Sequence, residues 1–160
     1  MEIRTATIND LKAITEVESK CFPKSEAASE NDFRKRLEFY PNCFWILEKN
    51  NKIISFVNGM VSNEDKIEDE MFKDASFHNE NGEWQMIFGV NTIPEYRKQG
   101  YAEKVIKRVI SDAKKQGRKG LVLTCKDKLI HYYEKFGFIN EGISQSSHGN
   151  AIWYDMRLEF

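Results

Sequence analysis

Between Trp84 and Leu123 the hydrophobic period changes twice, and that change limits the folds open to the chain. The run from Trp84 to Thr92 is apolar enough for a buried strand. Ala102, Val105, Ile106, Val109, Ile110 and Ala113 then follow the i, i+3, i+4, i+7 spacing of one helix face. Leu121-Val122-Leu123 is a second short apolar run, with Gly117 placed to end the helix before it. Strand, helix and strand return the chain to the same end of a sheet, so the two strands are expected to run parallel, joined by a right-handed crossover. This unit alone excludes all-α and all-β folds.

The flanking segments extend the alternation. Ile3 to Ala6 reads as a strand, and Asn9 or Asp10 can cap a helix carrying Leu11, Ile14 and Val17, with Cys21 and Phe22 at its exit. After Pro23, Ser25 or Glu26 is expected to open a second helix with Phe33, Leu37 and Tyr40 on its face. Phe44 to Leu47 and Ile53 to Val57, joined by Lys49-Asn50-Asn51-Lys52, carry a hairpin signal. Gly59 marks a bend, and Ser62 to Glu83 is a polar excursion with an acidic helical stretch. Gly89 suggests a bulge or a close backbone approach within its strand. Asp127 to Phe136 reads as a helix, and Gly137-Phe138 turns the chain into a last pair of strands ending at Ile152 to Leu158. At 160 residues the expectation is one domain over 1–160, of α+β class: a mixed, mostly antiparallel, twisted sheet with helices on both faces.

The charge balance of −1 carries no basic block, so a nucleic-acid or membrane-surface partner is not expected. No apolar run has the length of a membrane span. Cys21, Cys43 and Cys125 lie apart in apolar surroundings and read as buried thiols in a reducing cytoplasm. His78, His131 and His148 stand alone, so no metal site is expected.

Chemistry concentrates in Pro94-Glu95-Tyr96-Arg97-Lys98-Gln99-Gly100-Tyr101-Ala102, where a strand ends and the long helix begins. Free N–H groups and the positive end of the helix dipole make such a junction an anion site. Gly100 permits close approach, and Arg97 and Lys98 can add charge-assisted contacts. A basic loop that merely caps a helix has the same composition. Neither GxxxxGK[ST] nor GxGxxG occurs, so this is no Walker loop or dinucleotide fingerprint.

Arg97-x-x-Gly100-x-Ala102, preceded by Gly89-Val90-Asn91-Thr92-Ile93-Pro94, resembles the coenzyme A pyrophosphate loop of the GNAT acetyltransferases. Tyr132-Tyr133-Glu134-Lys135-Phe136-Gly137-Phe138 resembles that family's second signature, in the right order along the chain. Cys21-Phe22-Pro23 with Glu26-Ala27-Ala28-Ser29, and Cys125-Lys126-Asp127, are similar to the arylalkylamine N-acetyltransferase-like branch. The resemblance implies a GNAT-type acyl-CoA N-acyltransferase fold. It also implies acetyl-CoA as cosubstrate and direct transfer of acetyl to a primary amine, an arylalkylamine-like small molecule. Pantetheine would pair with the backbone of Val90 and Thr92, where the strand bulges and splays from Leu121 to Cys125. The pyrophosphate would sit on the amides of Lys98, Gln99, Gly100, Tyr101 and Ala102 beside the Arg97 side chain.

By the same resemblance Tyr133 is the general acid for the leaving thiolate, with an aromatic core position on the helix as the other reading; of the pair, Tyr132 is expected to pack. A phenol of ordinary pKa, about 10, suits donation to a thiolate of about 8.5. The branch's two histidines would stand eleven and nine positions before Arg97, where this chain has Met86 and Phe88. Neither moves a proton. Either another residue serves or the amine loses its proton to bulk water. Glu83 near the start of that strand is a candidate base or a solvated loop carboxylate, with His78 a weaker candidate and His131 expected to face solvent. Phe22, Pro23, Phe56 and Trp84 could line an acceptor pocket or be plain core. Glu64, Asp65, Glu68, Asp69 and Glu70 could draw in a cationic amine or form a solvated face. Acetylation of a protein or peptide, and a coenzyme A-binding module without turnover, remain alternatives on the same scaffold. A monomer and a homodimer paired through the last strands are both compatible with the sequence.

Overall fold

The structure, a computed structural model, describes residues 1–160. β1 (Glu2–Thr5), β2 (Phe44–Lys49), β3 (Lys52–Asn58) and β6 (Gly89–Thr92) form one antiparallel sheet in the order β1-β2-β3-β6. β4 (Val61–Ser62), β5 (Trp84–Ile87), β7 (Gly120–Cys125), β9 (Tyr154–Glu159) and β8 (Ile139–Ile143) form a second, in the order β4-β5-β7-β9-β8. Its only parallel pair is β5 with β7, the one expected from the crossover. The architecture is α+β, with mostly antiparallel strands and helices packed on them, as the sequence predicts.

The hairpin joining β2 to β3 follows from its turn. Asn50 and Asn51 both adopt positive φ, 54° and 61°, the pairing that matches the twist of flanking strands. Consecutive residues of β2 point to opposite faces, which seats a helix on each side. Phe44 meets Phe33 of α2 (Glu30–Phe39) edge-on at 6.0 Å. Trp45 donates its indole N–H to Asp112 of α4 (Tyr101–Lys115) at 2.9 Å. The expected face of α4 is buried through Val105, Ile106, Val109 and Ala113. Each large aliphatic side chain among them contributes about 1.5–3 kcal/mol. Gly117 leaves the helix with φ of 79°, as a C-terminal glycine does.

Several boundaries differ from the sequence reading. Thr7, not Asn9 or Asp10, makes the first cap; it opens a short 3-10 turn (Ile8–Asp10) that runs into α1 (Leu11–Cys21). Asp10 is diverted to Arg4, accepting two guanidinium bonds at 2.8 and 2.9 Å. The second helix begins at Glu30, because Ser29 and Asp32 form a reciprocal capping box that Ser25 and Glu26 lack. The acidic stretch shortens to α3 (Glu70–Lys73), and the last helix to a 3-10 turn followed by α5 (Ile130–Glu134). No helix is long and apolar enough to cross a membrane.

The central strand is divided in two. β5 stays with β7 as far as the Ile87–Leu123 pair, Phe88 belongs to neither strand, and β6 pairs only with β3. Gly59 lies against this break: a methyl group there would sit 2.0 Å from the Met86 carbonyl oxygen, so the backbones approach as only glycine allows. The two half-sheets therefore part between β6 and β7, with α1 and α2 over one face and α4 over the other.

Candidate active site

The gap between β6 and β7 widens into a cleft of about 710 Å³. One end is the strand-to-helix loop. Lys98 and Gly100 take positive φ, 63° and 83°, which turns the loop back on itself at the start of α4. The N–H groups of Lys98 to Glu103 find no carbonyl partner in the loop or the first helical turn. A methyl on Gly100 would meet nothing within 4 Å, so this is an open cradle of donors at the positive end of a helix fifteen residues long. These features fit a diphosphate. Arg97 donates from Nε to the Thr92 carbonyl at 3.1 Å, and the Cys21 thiol donates to the same oxygen at 3.3 Å.

Ile93 donates to Ile54, so by the alternation of an antiparallel pair the amides of Val90 and Thr92 face away from β3. Val90, Thr92, Arg97, Lys98, Gly100, Tyr101 and Ala102 all line the cleft. The Gln99 side chain does not; it bonds the Glu95 carbonyl at 3.3 Å.

Tyr133 comes in from α5 on the β7 side. It is 6% exposed, packs edge-on against Tyr132 and Phe138, and its hydroxyl has no hydrogen-bond partner in the protein. Burial holds the phenol well above its ordinary value, so it is protonated at neutral pH. Cys125, also lining the cleft, is pushed up to about 11 by burial and is a thiol rather than a nucleophilic thiolate.

Glu83 is not brought into this cleft. It stands at the entry to β5, at the end of that strand opposite the break, with its carboxylate 2.5 Å from Lys119 Nζ. The physical reason is strand length: β5 carries Trp84 to Ile87 between Glu83 and the break. His78 is absorbed structurally, accepting from the Val61 N–H at 3.0 Å, and the His131 side chain is 97% exposed. Met86 is core, whereas Phe88 lines the cleft against Phe72 at 4.9 Å. Phe22 and Pro23 line it too; Phe56 and Trp84 are core. None of the acidic residues from Glu64 to Glu70 reaches it.

The sequence reading missed Glu18, Arg36 and His148, all cleft residues. His148 stacks on Phe72 at 4.8 Å and lies 2.8 Å from the Glu26 carbonyl, a contact across more than a hundred residues that no local pattern announces. Arg36 lies on a helix face otherwise occupied by Phe33 and Leu37, and that is the one signal that could have found it.

The acetyltransferase (GNAT) family model matches residues 11–138, which takes in the cradle, the splayed strands and Tyr133. The chain belongs to the acetyltransferase (GNAT) family. Membership implies acyl-CoA-dependent N-acyltransfer with acetyl-CoA as the cosubstrate. A search of curated proteins finds no match. Among solved structures, the GNAT chain is similar to the loading GNATL domain of CurA from Lyngbya majuscula (15% identity, 99% of this chain and 96% of that one, TM-score 0.84). It is also similar to the ribosomal-protein-S18-alanine N-acetyltransferase from Escherichia coli (20%, 99% and 92%, TM-score 0.75). A third likeness is to the PaiA N-acetyltransferase from Thermoplasma acidophilum in complex with coenzyme A (15%, 99% and 98%, TM-score 0.73). At these identities the likenesses show the shared fold.

Proposed function

We propose that this GNAT domain, acting as one unit over 1–160, transfers acetyl from acetyl-CoA to the primary amine of a small, arylalkylamine-like molecule in a reducing cytoplasm. The observation that carries the acceptor class is a set of contacts that draws three segments together at the far end of the cleft. Lys126 bridges to Glu26 at 2.8 Å and lies over the Trp153 ring at 5.7 Å. Trp153 donates to the His148 carbonyl at 2.8 Å, and Ser146 donates to Asp69 at 2.5 Å. The segment after α1, the excursion carrying α3 and the connection between β8 and β9 thus meet over the acceptor end. A peptide needs an open groove there. Phe22, Phe72, Phe88 and Trp153 offer an aromatic lining that suits an aryl group.

Val90 and Thr92 hold the pantetheine arm through their free backbone edges, and the amides of Lys98 to Ala102 with Arg97 hold the diphosphate. Backbone N–H groups at the break stabilise the oxyanion that forms when the amine adds to the thioester. Tyr133 gives its phenol proton to the departing thiolate. Thiol release from acetyl-CoA, measured across arylalkylamines, polyamines, aminoglycosides and short peptides, tests this. Turnover confined to small amines supports it; turnover confined to peptides replaces it with protein acetylation.

A further inference from the structure

Beside Gly89, at the break in the central strand, lies a buried polar group that the scheme above leaves unused. A methyl on Gly89 would stand 3.4 Å from Asn91 Nδ2, 3.5 Å from Asn58 Nδ2 and 3.8 Å from Glu18 Oε1. Glu18 is 6% exposed and lines the cleft. Its Oε2 accepts from the Ala28 N–H at 3.0 Å, while Oε1 and both polar atoms of the Asn91 amide have no partner in the protein. Interiors leave few polar atoms unpaired, and a group of three beside a substrate cleft points to a ligand or water reached from it.

Arg36 Nη1 donates to Asn58 Oδ1 at 3.0 Å, and Nη2 to the Phe72 carbonyl at 2.9 Å. The charged and titratable groups facing Glu18 are Arg36 from α2, His148 from the connection before β9 and Cys21 from its own helix. Burial raises the carboxyl, opposed by the Ala28 N–H, Arg36, Asn91 and His148. No lysine or arginine forms an ion pair with this carboxyl, whose one direct partner is the Ala28 N–H.

We propose that Glu18 is the proton acceptor for the acceptor amine, reached through a water held beside Asn91. The assignment rests on the transferase reading. The ammonium group gives one proton through the water to the Glu18 carboxylate, and the freed lone pair forms the C–N bond at the thioester carbonyl. The C–S bond breaks as the oxyanion collapses, and the thiolate takes the Tyr133 proton. Of the two protons left on nitrogen, one returns to the phenolate and the other stays on the amide, and Glu18 releases its own to solvent. An ammonium and a thioester become an amide, a thiol and one proton.

Glu18→Gln in the full chain keeps an acceptor for the Ala28 N–H and removes the base. Acetyl-CoA binding is followed by calorimetry, and kcat/KM by thiol release with 2-phenylethylamine and its less basic β,β-difluoro analogue. Unchanged binding, a loss of kcat/KM of about a hundredfold or more, a vanished acid limb of the pH profile and a smaller deficit for the fluorinated amine are expected. Full turnover with the acid limb intact overturns the role of Glu18 and leaves the transferase standing. So does an equal deficit for both amines, which marks a structural part. No turnover by the wild type on any amine of the wider panel overturns the transferase reading itself. Should the variant not fold, the carboxyl titration of Glu18 in the wild type, read by carbon NMR, decides: an ordinary glutamate value, about 4.3, overturns the proposal.

Discussion

Ile87 stands opposite Leu123 in the parallel ladder, and that is the last pair the two strands make. Beyond it β6 turns to β3, so Val90 faces Val57 while its free edge borders the cleft. The chemistry depends on this parting. It exposes backbone donors that a continuous sheet would consume, and it does so beside Tyr133 and Glu18.

Tyr133→Phe retains the ring that packs on Tyr132 and Phe138 and deletes only the phenol. The expected outcome is a fall in kcat of about 10²–10⁴-fold, with acetyl-CoA affinity and melting temperature close to wild type. Steady-state kinetics beside calorimetry check it.

Glu83→Gln is expected to leave kcat/KM unchanged and stability within about 0.5 kcal/mol, since the side chain lies outside the cleft on Lys119. The same assay reports it.

The sequence made the crossover, the hairpin and the strand-to-helix loop legible because each is a local pattern: a helical period, an Asn-Asn turn, a glycine after basic residues. The proton acceptor was not legible. Counting along one strand led to Glu83, but four residues of β5 separate it from the break. Glu18 is on a different helix and meets Gly89 and Asn91 only through packing. Its neighbours on α1 give it the look of an ordinary polar position. His148 and Arg36 were hidden for the same reason, since both acquire their place from contacts distant in sequence.

Glu18 also sets a pH dependence of stability. Its carboxyl is raised in the fold, chiefly by burial, so the folded chain holds a proton that the unfolded chain releases. That contribution is full below the ordinary value, about 4.5, and is lost as pH rises through the folded value. The melting temperature of Glu18→Gln is therefore expected to gain on that of the wild type as pH rises from acid to neutral. Paired thermal melts measure the difference, and a gap independent of pH contradicts it.

Gly89→Ala separates space from conformation. The residue does not adopt positive φ, and a methyl would meet its neighbours at ordinary contact distances of 3.4 Å or more. The fold should persist, with a melting temperature near wild type. Placed against Asn91 and Glu18, the methyl would take the place proposed for the water, so kcat is expected to fall by about tenfold or more. By contrast Gly59→Ala, 2.0 Å from the Met86 oxygen, is expected to destabilise the fold in the same melts.

Acetyl-CoA turnover in the presence of a small amine bears on the central claim most directly. Thiol release that saturates with acetyl-CoA, requires the amine and yields its N-acetyl product is the result this account predicts. Failure of coenzyme A to bind the folded chain at all would contradict it, because the cradle, the splayed strands and Tyr133 would then serve some other ligand.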